Sequence, residues 1–168
     1  MTRYSQKIAM LASILLLVAA CGQSGGGGGG AGAAAPADDS PEYQAFQFRD
    51  GVMHGLAWKV GKLRAMAQGD IPVDNAAALK NAKDTAALAG MLADGFIPNS
   101  VVKGSLALPD IWKNFPDFQQ KANDLQMAAT ALADATQANG FEASKGMVQA
   151  VGQSCGGCHR PYRKRDEK

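Results

Sequence analysis

Cys155 and Cys158 stand three residues apart and His159 follows at once, so two thiols and an imidazole crowd into five residues near the end of a 168-residue chain. On a helix, residues three apart share a face, which puts both sulfurs within reach of one planar ligand. The chemistry this spacing serves is a pair of thioether bonds to one porphyrin. Cys-x-x-Cys-His is the attachment pattern of c-type haem, and it makes His159 the proximal ligand of the iron. Two other chemistries compete. A redox dithiol wants a βαβ setting, and strands and helices do not alternate here. A zinc site wants four ligands, whereas the chain holds three Cys and two His.

The third cysteine, Cys21, has a different setting. Arg3 and Lys7 make a positive start, and Ile8 to Ala20 an apolar run too short to span a bilayer, the pattern of an export signal. The run ends in Leu17-Val18-Ala19-Ala20-Cys21, which resembles the lipobox of bacterial lipoproteins and implies lipid attachment at Cys21. An ordinary cleaved signal followed by an unmodified Cys is the plainer alternative. Residues 22–40, GQSGGGGGGAGAAAPADDS, lack side chains to pack and read as a tether with a reach of about 20–25 Å. The expected organisation is a signal peptide at 1–20, a lipidated Cys and tether at 21–40, and one domain at 41–168. Such a protein is exported to the periplasmic side and held on a membrane by lipid. Gly22 after the lipid Cys lacks an Asp-type retention signal, which favours the outer membrane.

The whole chain carries a formal charge of +2. Without Arg3 and Lys7, fifteen basic residues face fifteen acidic ones, so no overall basic field recommends a nucleic-acid partner. Arg160 to Lys168 is locally basic, either a solvated helix end or a docking patch for an acidic partner.

What positions the motif is helical. Phe46, Arg49, Met53, Leu56, Val60, Leu63 and Ala67 recur at three- and four-residue steps and predict a helix from Glu42 to Gln68. Gly69-Asp70-Ile71-Pro72 breaks it. A second helix, Asp74 to Asp94, has Ala78, Leu79, Ala82, Thr85, Ala86, Ala89 and Leu92 along one side. Gly95 to Phe115 is a broken crossover. A third helix starts near Pro116, a favoured first-turn residue, and turns Phe118, Leu125, Ala128, Ala129 and Leu132 inward. It ends at Asn139, with Gly140 as cap. The fourth, Phe141 to Arg165, carries the haem motif. The fold expected is all-α, an antiparallel four-helix bundle with covalently attached haem.

These residues resemble the class II cytochromes c, the cytochrome c′ family and its low-spin relatives, over 41–168. The Cys-x-x-Cys-His lies near the C-terminus, and the ending SCGGCHRPYRK resembles the family's, with an Arg four residues after the haem His. Arg49-x-x-x-Met53 resembles the family's Arg followed by its distal residue. Pro109-Asp-Ile-Trp112 and Phe118-Gln-Gln-Lys121 resemble a further segment.

The resemblance implies one c-type haem, with Met53 across it from His159. A Met thioether gives a low-spin, six-coordinate iron of raised potential; a Met that merely fills the core is the alternative. His54, the other imidazole, points about 100° away from Met53. Arg49 is expected to face a haem propionate, since a buried charge needs a partner, and Arg163 to screen the imidazole or contact a propionate. The expected function is therefore a membrane-anchored electron carrier serving a redox partner protein, not an enzyme, with iron between His159 and Met53. The alternative is a five-coordinate protein binding nitric oxide or carbon monoxide. The family also implies a homodimer through the first two helices.

Overall fold

The computed structural model describes residues 39–165. Cys21, the signal segment, most of the tether and residues 166–168 lie outside the described residues. Four long helices make the bundle: α1 Pro41–Gln68, α2 Asn75–Gly90, α4 Phe115–Asn139 and α6 Val148–Tyr162. Two single-turn helices, α3 Asp110–Lys113 and α5 Phe141–Ser144, lie in the connections, with 3₁₀ turns at Leu92–Gly95 and Lys145–Met147. α2 packs against α1 and α4, and α6 against α4 and α1.

Local chemistry sets the helix ends. Ser40 accepts a hydrogen bond from the Tyr43 N–H at 3.2 Å, with Pro41 opening the helix, and Asp74 does the same for Ala77 at 3.0 Å. Such caps satisfy amides that the first turn leaves without partners. Gly69, at φ +82°, closes α1 by donating to Ala65 and Met66 carbonyls, a left-handed position that suits glycine. Gly140 closes α4 at φ +79°, and Asn75 then accepts the Phe141 N–H at 2.7 Å.

The stripes predicted for the helices are largely the buried ones. Leu56, Val60 and Leu63 of α1, Ala78, Ala82, Thr85 and Ala89 of α2, and Phe118, Leu125, Ala129 and Leu132 of α4 are buried. Phe46, Met53, Ala67, Leu79, Ala86 and Ala128 are half-buried. Val52, Met66, Ala122 and Ala133 join the core although the sequence stripes omit them.

Three boundaries differ from expectation. The second helix ends at Gly90 rather than Asp94, and the chain tightens into the 3₁₀ turn Leu92–Gly95. The cause is a close approach: a Cβ at Gly95 would lie 2.8 Å from the Arg49 Cβ and 2.9 Å from Phe48. The last helix starts at Val148, not Phe141, because Phe141–Met147 is spent on a turn in which Ser144 Oγ bonds Thr136 Oγ1 at 2.8 Å. It ends at Tyr162, not Arg165. Pro161 lies in its last turn, and Arg163 is extended, at φ −120° and ψ 134°. Among the described residues no helix is long and apolar enough to cross a membrane.

Candidate functional site: the cavity beside the Cys-x-x-Cys-His helix

Cys155, Cys158 and His159 all line one cavity of about 640 Å³ between α1, α4, α6 and the crossover. That volume falls in the ~300–1,000 Å³ range of ligand pockets. α1 contributes Phe46, Met53, Leu56, Ala57 and Val60, and α4 contributes Phe118, Ala122 and Leu125. A flat apolar macrocycle suits such walls. The two thiols are not bonded to one another; Cys158 is buried and Cys155 half-buried. Burial pushes both thiols up, Cys158 to about 11, so both stay protonated at neutral pH. Desolvation, and then the Arg163 charge, lower the His159 pKa and favour the neutral imidazole that a metal needs. Among the described residues no group of three or more His, Cys, Asp or Glu is placed to hold a bare metal ion. The donor set fits a covalently held haem.

Met53 lines this cavity half-buried, packed against the apolar core. His54 stands at the rim, exposed, with Nδ1 2.9 Å from the Asp50 carbonyl oxygen and 3.4 Å from its carboxylate.

Arg49 is only 4% exposed, and its charge is met by the protein itself. Nη1 donates to the Gly95 carbonyl at 2.8 Å and to Ser100 Oγ at 2.9 Å; Nη2 donates to the Ser100 carbonyl and, at 3.1 Å, to Ser105 Oγ. Phe46 and Phe96 flank the guanidinium, their ring centroids 5.4 and 5.1 Å away. The partners found here are thus the 3₁₀ turn and the crossover, where the sequence pointed to a propionate. Desolvation lowers the Arg49 pKa, and Asp50 works against that.

The crossover is the wall the sequence did not foresee. Gly104, Ser105, Leu106 and Ala107 line the cavity. Arg49 holds this strap at one end through Ser105. At the other end it joins the close of α6: the Leu108 N–H donates to the Tyr162 carbonyl at 2.9 Å, and the Lys164 N–H to the Leu106 carbonyl at 2.8 Å. Ala107 and Arg163 form an antiparallel bridge. Arg163 itself is half-buried on the cavity wall. Tyr162 fixes α6 to α4 by donating to Asp117 at 2.5 Å, and its ring meets Phe118 edge-on at 5.6 Å. The sequence signal for the strap was Arg49 itself, a cation in an apolar stripe that requires acceptors.

Comparison with known proteins agrees with this geometry. The sequence model of the family described as cytochrome C′ matches residues 44–163. A cytochrome c-554 of Cereibacter sphaeroides is 34% identical over 122 residues, spanning 70% of this chain and 91% of that protein. The solved cytochrome c prime from Shewanella frigidimarina superposes with a TM-score of 0.71 at 32% identity, over 75% of this chain and 98% of that one. A nitric oxide complex of a variant cytochrome c prime from Alcaligenes xylosoxidans gives 0.67 at 26%, over 74% and 97%.

These findings overturn the expected six-coordinate electron carrier with iron between His159 and Met53. The matching family and both solved relatives are cytochrome c′, one of them holding nitric oxide. The physical correction concerns Met53: its flexible thioether acts as an adaptable packing group on the cavity wall.

Proposed function

This chain belongs to the cytochrome c′ family, which carries one covalently bound c-type haem, and we propose that it binds nitric oxide or carbon monoxide at a five-coordinate iron. Cys155 and Cys158 are the attachment points and His159 is the one protein ligand. The haem, when bound, supplies an iron with an open sixth position.

The residues around it do the selecting. Met53, Leu56, Ala57 and Val60 form an apolar wall on α1, which excludes water and charged ligands while admitting a small uncharged diatomic molecule. The observation that carries the reading is how the polar groups near that wall are occupied. Arg49 donates to the crossover, and His54 is turned to Asp50 at the rim. Arg163 follows His159 by one turn, and its charge disfavours the imidazolium form, so it keeps the proximal nitrogen available for iron.

The test is the ferric absorption spectrum of haem-loaded wild type and Met53→Ala. High-spin spectra in both support the reading; a low-spin wild type that becomes high-spin in the variant would show that the sulfur was bound after all.

Two further parts belong to this proposal. Residues 1–20 direct export and Cys21 accepts a lipid, with 21–40 as tether to the domain at 41–168. The mass of detergent-extracted protein checks this, since diacylglycerol and acyl groups must add to the mass of residues 21–168 plus haem. A mass without them refutes lipidation.

A further inference from the structure

Beside the haem cavity, α1 and α6 enclose a second groove of about 480 Å³. Arg64, Lys145 and Arg160 supply its charge, joined by Gln68, Gln149 and Gln153, and none of its lining residues is acidic. Positions 149, 153, 156 and 160 recur at three- and four-residue steps, so they share a face of α6. Two glycines on that helix leave room for the cations. A Cβ at Gly152 would lie 3.5 Å from Arg64 Nη2, and one at Gly156 would lie 3.4 Å from Arg160 Nη2. Gly156 sits between the two haem cysteines, so the Arg160 guanidinium lies over the attachment turn itself.

Lys145 pairs with Glu142. Neither Arg64 nor Arg160 has a carboxylate at ion-pair distance among the described residues. Arg64 also lines the haem cavity, and its charge acts on Cys155. This positive charge, without a carboxylate partner among the described residues, therefore converges on the Cys155 edge of the cofactor site.

We propose that this groove docks the acidic surface of a protein that delivers one electron at the Cys155 edge. The inference rests on the gas-binding reading, because carbon monoxide requires ferrous haem. The balance is simple: the donor loses one electron, ferric iron becomes ferrous, and neither bond nor proton changes hands. A bilayer is the poorer occupant. Faces that lie on membranes combine cations with exposed apolar bulk, and none of the large exposed apolar side chains, Trp58 and Met127 foremost, lines the groove.

The test uses the haem-loaded protein and reduced flavodoxin, a small acidic electron donor, in stopped flow. Arg64→Glu/Arg160→Glu is compared with wild type and with Lys83→Glu/Lys103→Glu, which makes the same charge change at exposed sites outside the groove. Each rate is divided by that with dithionite, a small anion. This corrects for access to the haem and for the charge any small anion meets there, so that the ratio isolates docking of a protein surface. The groove pair is expected to lose about tenfold or more at low salt and to flatten the salt dependence, while the control pair stays within about twofold. Equal losses in both pairs, or a groove pair close to wild type, overturn the proposal. So does a groove pair that keeps the flavodoxin rate but no longer sediments with phosphatidylglycerol vesicles, which would assign the groove to a membrane. A carbon-monoxide-insensitive spectrum would sink the gas-binding reading instead, and leaves these rate ratios measurable.

Discussion

Replacing Arg49 with Met removes a buried cation and keeps much of its volume. The guanidinium serves four acceptors: the carbonyls of Gly95 and Ser100 and the hydroxyls of Ser100 and Ser105. The hydroxyls keep other partners, since Ser100 Oγ donates to the Ile97 carbonyl at 2.7 Å and Ser105 Oγ accepts the Ala107 N–H at 3.2 Å. The two carbonyls lose the bonds that Arg49 gave them. Each buried group stripped of its partner costs about 1–3 kcal/mol, and two cation–π contacts add about 0.5–2 kcal/mol each. Relief of guanidinium desolvation offsets part of this, leaving a loss of about 3–5 kcal/mol, as for other buried charge networks broken on one side. With a urea m-value near 2 kcal/mol/M, the midpoint of haem-loaded protein falls by about 2 M. Unfolding followed by circular dichroism and by the haem absorption gives that midpoint. Hydrogen exchange adds a local readout, with the Leu108 and Lys164 amides losing protection as the strap loosens. A midpoint within about 0.3 M of wild type, which is under 1 kcal/mol at that slope, refutes the view that Arg49 fastens the crossover.

Other substitutions probe separate links. Gly95→Ala places a methyl against Arg49 Cβ and Phe48 and should cost about 1–3 kcal/mol, as overpacking does; an unchanged urea midpoint would contradict the close approach. Tyr162→Phe removes the bond to Asp117 and should cost about 1.5–3 kcal/mol, the range for a bond to a charged group. Hydrogen bonding to Asp117, then burial, pushes the Tyr162 pKa up to about 12 from 10.0. A raised pKa means the folded state holds the proton more tightly, so this stabilisation is complete below pH 10 and fades as pH climbs through about 12. Ultraviolet titration of tyrosinate checks it, and a Tyr162 transition near 10 would be the wrong answer. Trp58 is 64% exposed on α1, with Lys62 stacked on its ring at 4.8 Å; gel filtration should show a dimer that Trp58→Arg separates, and a monomeric wild type contradicts that.

The attachment motif and the bundle were legible because both are periodic and local. Cys155, Cys158 and His159 need only spacing and one helix, and the α1 stripe from Leu56 to Leu63 repeats at the helical period. The crossover was not legible. Its anchors are mainly backbone carbonyls, of Gly95 and Ser100, and main-chain bonds between Leu106–Leu108 and Tyr162–Lys164. Such groups are the same in every residue and leave no pattern in the sequence. The late start of α6 was hidden for a related reason, since Phe141–Ser144 is helical and reads as one run with it until the Ser144–Thr136 bond breaks the register. Met53 shows the opposite difficulty. Its residue type suits iron ligation and core packing equally, so only its surroundings and its relatives decide between them.

The most direct test of the account is a carbon monoxide titration of the ferrous, haem-loaded protein followed by absorption. The account predicts a saturable change with one molecule bound per haem, the same in Met53→Ala, because the iron has His159 as its only protein ligand. A ferrous spectrum that carbon monoxide leaves untouched in wild type, yet changes in Met53→Ala, would contradict it.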